Sequence, residues 1–310
     1  MSEPADPVGE AVAVLRRGGL VGMPTETVYG LAADAANEAA VGKIFAVKGR
    51  PAGHPLIVHV ASAEALPMWA AEVPPAAAVL AEACWPGPLT VLVPRAAHVL
   101  DVVTGGRPTV GLRVPAHPLA LDLLHRFGGG VAAPSANRFG HVSPTTAAHV
   151  RADLGTAVDL VLDGGACPVG VESTIVDCMV DPPQILRPGG IADEAVARLL
   201  DGVGGLAAAS GPSRASGMLA SHYAPTAMVE LYDTLAAATA RAGALTATGR
   251  VADVLDATGD LVAVAQGLYA WLRTADDRGV EVVCAVLPPP TGLGHAIRDR
   301  LFKAASPTRP

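Results

Sequence analysis

The chain opens with apolar residues at helical spacing. Val8, Ala11, Val12 and Leu15 recur between Pro7 and Arg17, and Gly18-Gly19 then predicts a helix stop. A short strand, Leu20 to Met23, follows. Asn37 is placed as the N-cap of a second helix that buries Val41, Ile44 and Phe45 and ends near Gly49-Arg50-Pro51. The run Leu56 to Val60 reads as a strand whose alternation puts Leu56, Val58 and Val60 on one face and Ile57 and His59 on the other.

Further strands are predicted at Leu89–Val93, Val110–Val114, Val131–Ala133, Asp159–Leu162, Ser173–Cys178 and Gln184–Leu186. Helices are predicted at Ala76–Ala83, His117–Arg126, Thr145–Leu154 and Asp193–Leu200. Such irregular alternation indicates an α/β domain on a mixed twisted sheet. Residues 202–225 lose periodicity in favour of Gly, Ala, Ser and Pro, and read as a linker. Beyond it, strand-like Ala227–Tyr232, Leu261–Ala265 and Val280–Leu287 alternate with helix-like Thr234–Ala242, Gln266–Thr274 and Gly294–Ala305, a small βαβ-type domain. The expected division is 1–201, 202–225 and 226–310, in keeping with a length of 310 residues.

Composition narrows the classes. Although 51% of residues are hydrophobic, no stretch approaches the ~18 uninterrupted apolar residues of a membrane span. The acidic, polar start Met1-Ser2-Glu3-Pro4-Ala5-Asp6 lacks the pattern of a secretion signal, and the four cysteines form neither a disulfide framework nor a C-x-x-C zinc pair. A reducing, cytoplasmic setting without membrane or structural zinc is the expectation. A net charge of −7 and only 4% aromatic residues argue against a general nucleic-acid surface.

Several segments can carry chemistry. Thr25-Glu26-Thr27 follows a strand, as ligand-binding loops of α/β sheets do, or forms a hydrogen-bonded turn with Glu26 capping a following helix. Lys48 and Arg50 either fork around a polyphosphate or decorate a helix C-terminus. His59 is a core histidine or a ligand contact. Arg113, within an apolar strand, requires an anionic partner, either a structural Asp or Glu or a substrate carboxylate. The loop from Ala132 to Thr145 offers amides and hydroxyls to an anion, with Ser143 or Thr145 alternatively capping the next helix. Phosphate-loop, dinucleotide, nucleophile-elbow and zinc-protease motifs are absent from the sequence.

In order, PTETVYGL, KGRPAGHPLIVHV, VGLRVPAHP, APSANRFGHVSPT, ESTIVD and ILRPGG resemble the YrdC-type family of L-threonylcarbamoyladenylate synthases over roughly residues 8 to 200. SHYAP and GLGHAIRDRLFKAA resemble the linker and C-terminal domain of that family's long form, although 226–310 looks short for it, particularly between Ala242 and Leu261. The resemblance implies a curved, YrdC-like mixed sheet around a large positively charged cavity, with a small Rossmann-like C-terminal domain. It implies synthesis of threonylcarbamoyl-AMP from L-threonine, bicarbonate and ATP, with Mg²⁺ on the triphosphate, no organic cofactor and no protein-bound metal. The product then serves a tRNA threonylcarbamoyltransferase complex, with room for a weak tRNA contact.

By motif position, the resemblance assigns Thr27, His59, Arg113, Ala133 and Ser173 to threonine or its carbamate. It assigns Lys48, Arg50, His54, Thr109, Ser135, Asn137, Ser143 and Arg187 to ATP, with Tyr223 as a lid and Lys48 and Arg50 as the catalytic pair. His54 stands where Asn is expected in many relatives. Two other readings remain: a carbamoyl-adenylate-forming component and a non-catalytic RNA-binding maturation factor.

Overall fold

The computed structural model describes residues 6–207, 214–218 and 223–306; Leu219, Ala220, Ser221 and His222 of the predicted linker lie outside them. Local signals set the first elements. Asp6 caps α1 (Pro7–Arg16) by accepting from Gly9 N at 3.0 Å, with proline at its first position. After β1 (Val21–Met23) comes β2 (Gly30–Asp34), a strand where the polar segment before it suggested a helix. Asn37 caps α2 (Glu38–Lys48), which ends at left-handed Gly49, φ 63°.

The remaining strands of the large sheet are β3 (Ile57–His59), β4 (Leu89–Pro94), β5 (Thr109–Arg113), β6 (Val131–Ala132), β7 (Leu160–Val161), β8 (Thr174–Asp177) and β9 (Gln184–Arg187). Helices α3 (Leu66–Trp69), α4 (Pro75–Cys84), α5 (Asp101–Thr104), α6 (Pro118–Phe127), α7 (Ala147–Leu154) and α8 (Asp193–Leu200) connect them. The nine strands run in the order β7-β1-β2-β6-β3-β5-β4-β8-β9, with parallel and antiparallel pairs mixed. One apolar cluster joins α2 and α4 to the sheet; another joins α1 and α6 to β1, β2 and β6. Leu56, Val58 and Val60 enter the first cluster, as the alternation predicts, which turns Ile57 and His59 toward the opposite side.

The C-terminal domain holds β10 (Met228–Tyr232), α9 (Leu235–Ala247), β11 (Ala252–Asp256), α10 (Leu261–Asp277), β12 (Val282–Val286) and α11 (Leu293–Ala305), with a parallel sheet ordered β10-β12-β11. One sequence expectation is corrected here. The apolar run Leu261–Ala265 is the first turn of α10, because Asp260 caps Val262 N at 2.9 Å and the buried positions Ala265, Leu268, Tyr269, Leu272 and Ala275 keep helical spacing. The interval between Ala242 and Leu261 contains the end of α9 and the whole of β11.

Helix α9 covers one face of the small sheet. Helices α10 and α11 cover the other, and their apolar cluster continues into the first domain through Val28, Val142 and Val171, with Tyr223 alongside. Gly170 permits this contact: its φ is 78°, and a Cβ there would stand 2.3 Å from Ala265 O. Among the described residues no helix is long and apolar enough to cross a membrane.

Candidate active site

The loops at the strand ends line a cavity open to solvent, about 560 Å³ with the space at its mouth included. Thr25, Thr27 and Val28 reach it from the β1–β2 loop, Ile57 and His59 from β3, Arg113 from the end of β5, and Ala133 and Ser135 from the loop after β6. Glu172 and Ser173 precede β8, and Arg187 ends β9. Arg50 enters from the loop after α2; Ser216, Gly217 and Tyr223 enter from the linker.

The β1–β2 loop is a hydroxyl turn. Thr25 Oγ1 donates to Val28 O at 2.6 Å and accepts from Thr27 N and Val28 N, while sharing a 2.8 Å hydrogen bond with Thr27 Oγ1. Thr27 Oγ1 in turn accepts from Arg113 Nη2 at 2.9 Å. Arg113 Nε donates to Gly87 O at 3.2 Å, and Glu26 Oε1 lies 2.7 Å from Arg113 Nη2 without hydrogen-bond alignment. The buried arginine thus has a structural carboxylate partner already. Glu26 caps no helix; its other oxygen accepts from Ala116 N at 3.0 Å.

His59 is buried, and burial followed by the nearby Arg113 pulls its pKa down to about 3, so the ring is neutral. Its Nδ1 has no hydrogen-bond partner among the described residues. On the opposite wall, Arg187 donates to Ser173 O through Nε and Nη2 and to Ser216 O through Nη1 at 3.2 Å. Ser173 Oγ also shares a 2.8 Å bond with the buried Thr90 hydroxyl.

The two cations read together from sequence take different positions. Arg50 lines the cavity, donates to Pro55 O at 3.0 Å and Ser216 Oγ at 3.3 Å, and keeps a buried Nε with no partner among the described residues. Burial lowers its pKa to about 10. Lys48 lies behind the wall, its ammonium held by Ser135 O, Asn137 O and Asn137 Oδ1. Burial first, and Arg50 second, push its pKa well below that of an ordinary lysine.

Other expected nucleotide contacts are also set back. Asn137 spends its amide on Arg138 O and His141 O, and Ser143 donates to Glu172 Oε1 at 2.6 Å. Neither Ser143 nor Thr145 caps α7, since Thr146 does so by accepting from His149 N. His54 packs edge-on to Phe139 at 5.5 Å, and Thr109 lines a smaller apolar recess beside the cavity with Ile57 and Ser216. Tyr223 is buried at the cavity edge with φ 62°, its ring over Arg300 at 5.1 Å.

Sequence reasoning missed Glu172, Arg300 and Tyr269. Glu172 accepts from Ser143, from Tyr269 OH at 2.9 Å and from Arg300 Nε at 2.7 Å. Burial alone would raise its pKa, but Arg300, Arg187 and Ser143 outweigh that and hold it at about 2. The available signal was Arg300 itself, an arginine on the same helical face as Ile297, Leu301 and Ala304. Among the described residues, no group of three or more His, Cys, Asp or Glu is arranged to hold a metal.

Fold and site define a class: a two-domain α/β protein whose mixed sheet carries a cavity lined by Arg50, Arg113 and Arg187. A model described as telomere recombination, for Sua5, YciO and YrdC, matches residues 13–189, and one described as threonylcarbamoyl-AMP synthase, C-terminal domain, matches 191–306. The threonylcarbamoyl-AMP synthase of Pyrococcus abyssi is 41% identical over 95% of this chain and 93% of its own length. That of Bacillus subtilis is 40% identical over 96% and 92%. The crystal structure of P. abyssi Sua5 complexed with L-threonine superposes with a TM-score of 0.92 at 37% identity, covering 98% of this chain and 96% of that one. The chain belongs to the Sua5/YciO/YrdC family, in its long form with a C-terminal domain.

Proposed function

We infer that this protein is a threonylcarbamoyl-AMP synthase that joins L-threonine, bicarbonate and ATP and releases pyrophosphate. The observation that carries the reading is the near-full-length correspondence with threonylcarbamoyl-AMP synthases, one of them solved with L-threonine. The cavity chemistry supports it. We assign Thr27, His59, Arg113, Ala133 and Ser173 to threonine and its carbamate, with the fixed Arg113 guanidinium for the carboxylate and a neutral imidazole at His59. We assign Arg50, Ser135, Arg187 and Tyr223 to the nucleotide end, where the guanidinium groups of Arg50 and Arg187 would meet phosphate oxygens.

The reaction needs no protein nucleophile. Threonine's amine and bicarbonate condense to a carbamate with loss of water, and the anionic oxygen of the carbamate attacks the α-phosphorus of ATP. A mixed anhydride forms and the bond to pyrophosphate breaks. The protein contributes alignment and charge neutralisation. Arg50 would face the departing pyrophosphate, while Lys48 shapes the Ser135–Asn137 loop from behind. His54, Thr109, Asn137 and Ser143 act at one remove, by supporting loops that meet the nucleotide.

Glu26 and Glu172, the carboxylates nearest the cavity, are engaged by Arg113 and Arg300. Mg²⁺ therefore enters as part of the nucleotide substrate, held by phosphate oxygens. A separate transferase complex would pass the activated group to tRNA in the same cytoplasmic compartment. Any tRNA contact by this chain would be weak, given its charge of −7.

The test is pyrophosphate release from ATP and bicarbonate with threonine present, omitted, or replaced by serine. Threonine-dependent release is expected, with leakage to serine because one methyl group gives only about 1–3 kcal/mol of discrimination. Release indifferent to threonine, or low-salt RNA binding without release, overturns the reading.

A further inference from the structure

Helix α11 contributes no side chain to the cavity wall, yet two of its residues hold that wall from outside. Arg300 is fully buried on the apolar face of α11. Its Nε meets Glu172 Oε2 at 2.7 Å and its Nη1 donates to Pro188 O at 3.0 Å, next to Arg187. One turn on, Lys303 Nζ donates to Gly217 O at 2.6 Å and is itself held by Asp299 at 2.7 Å.

Gly217 is a sensitive point to grip. It adopts φ 77°, and a Cβ there would stand 2.6 Å from Tyr223 OH and 2.9 Å from Arg187 Nη1. Its neighbour Ser216 accepts from Arg187 through its carbonyl and from Arg50 through its hydroxyl. Lys303 is therefore one hydrogen bond and one peptide unit from Ser216, the residue that bonds both Arg50 and Arg187.

A plain interdomain staple is built differently. Arg273 of α10 forms a two-pronged pair with Asp153 at 2.8 Å, and neither residue borders the cavity. Arg300 and Lys303 instead end on Glu172 and Gly217, both cavity-wall residues.

We propose that Lys303 and Arg300 are positioning residues for the nucleotide side of the cavity: through Gly217 and Glu172, α11 sets the spacing of Arg50 and Arg187. The proposal rests on the functional reading above for the identity of the nucleotide. Removing Arg300 leaves Glu172 buried without its counter-charge and endangers folding. The primary variant is therefore Lys303→Met in the full chain, which keeps most of the apolar stem and removes the donor.

Pyrophosphate release is measured with ATP and threonine varied separately, and ATP affinity is measured by calorimetry without threonine. In Lys303→Met the KM for ATP should rise about tenfold, the loss expected for one charge-assisted hydrogen bond, while the KM for threonine stays within about twofold. Calorimetric ATP affinity should fall in parallel, Lys303→Arg should restore most of it, and Arg273→Met should lower the melting temperature without shifting the KM for ATP. Unchanged ATP affinity in Lys303→Met, equal rises in both KM values, or an Arg273→Met effect matching that of Lys303→Met overturns the proposal. If the wild type binds ATP but releases no pyrophosphate with threonine, the functional reading fails while the calorimetric comparison still decides the positioning role.

Discussion

Arg113 and Glu26, 87 positions apart in the chain, form a buried ion pair at 2.7 Å beside the Thr27 hydroxyl. Under the proposed function, a substrate carboxylate at Arg113 would meet a guanidinium already paired with Glu26 and fixed in direction by Thr27 and Gly87. Affinity there depends on the guanidinium fork more than on net charge. Arg113→Lys keeps the charge and loses the fork to Gly87 O and Thr27 Oγ1. The KM for threonine should rise about 10- to 100-fold, with the KM for ATP little changed, in steady-state pyrophosphate assays. Equal KM values for threonine in wild type and variant would show that Arg113 does not hold this substrate.

Lys48 and Arg50 should fail in different ways. Arg50 lines the cavity, so Arg50→Ala should cut kcat/KM for ATP by about 100-fold or more while moving the melting temperature little. Lys48 satisfies the carbonyls of Ser135 and Asn137. Lys48→Met orphans them at about 1–3 kcal/mol each, which should lower the melting temperature by several degrees and disturb the loop. Thermal melts beside kinetics separate the two. A Lys48→Met variant that melts like wild type and has only lost turnover would return Lys48 to a direct catalytic role.

Much of this architecture was readable because its signals are local. Asn37 and Gly49 bracket α2 by their own side-chain and backbone preferences. Alternation put Ile57 and His59 on the face opposite Leu56, Val58 and Val60, but only the fold shows that this face borders the cavity. The run Leu261–Ala265 misled because five apolar residues taken alone fit a strand or a helix equally; the Asp260 cap before it and the buried spacing on to Ala275 decide for the helix. Ordered motifs located Thr27, Arg113, Ser173 and Arg187, which the fold brings around one cavity. They could not show that Glu26 partners Arg113, that Lys48 sits behind its loop, or that Arg300 crosses 128 positions to reach Glu172. Such pairings are products of tertiary packing and leave no local periodicity.

Acid should loosen the junction of the two domains. The Glu172 pKa is depressed from 4.5 to about 2 in the folded protein. Its contribution to stability is therefore complete above the unfolded value and lost as pH falls from about 4.5 toward 2. In Glu172→Gln that contribution is absent at every pH. The gap in melting temperature between wild type and Glu172→Gln should be widest near neutrality and close below pH ~4. A gap that stays constant down to pH ~3 would place the stabilisation elsewhere.

Gly170 tests how closely the domains must fit. A Cβ there collides with the backbone of α10 at Ala265 and Gln266, and the left-handed φ adds strain for any L side chain. Gly170→Ala should lower the melting temperature and raise proteolytic susceptibility around 202–225, with cavity residues themselves untouched. Wild-type protease resistance in this variant would show that the contact yields without cost.

The apolar cluster that runs from α10 and α11 into Val28, Val142 and Val171 has one more consequence. The halves of this polypeptide are joined twice, once by covalent chain and once by shared interior. A single backbone cut in the connecting segment should leave two fragments that copurify and melt together, because the shared interior still holds them.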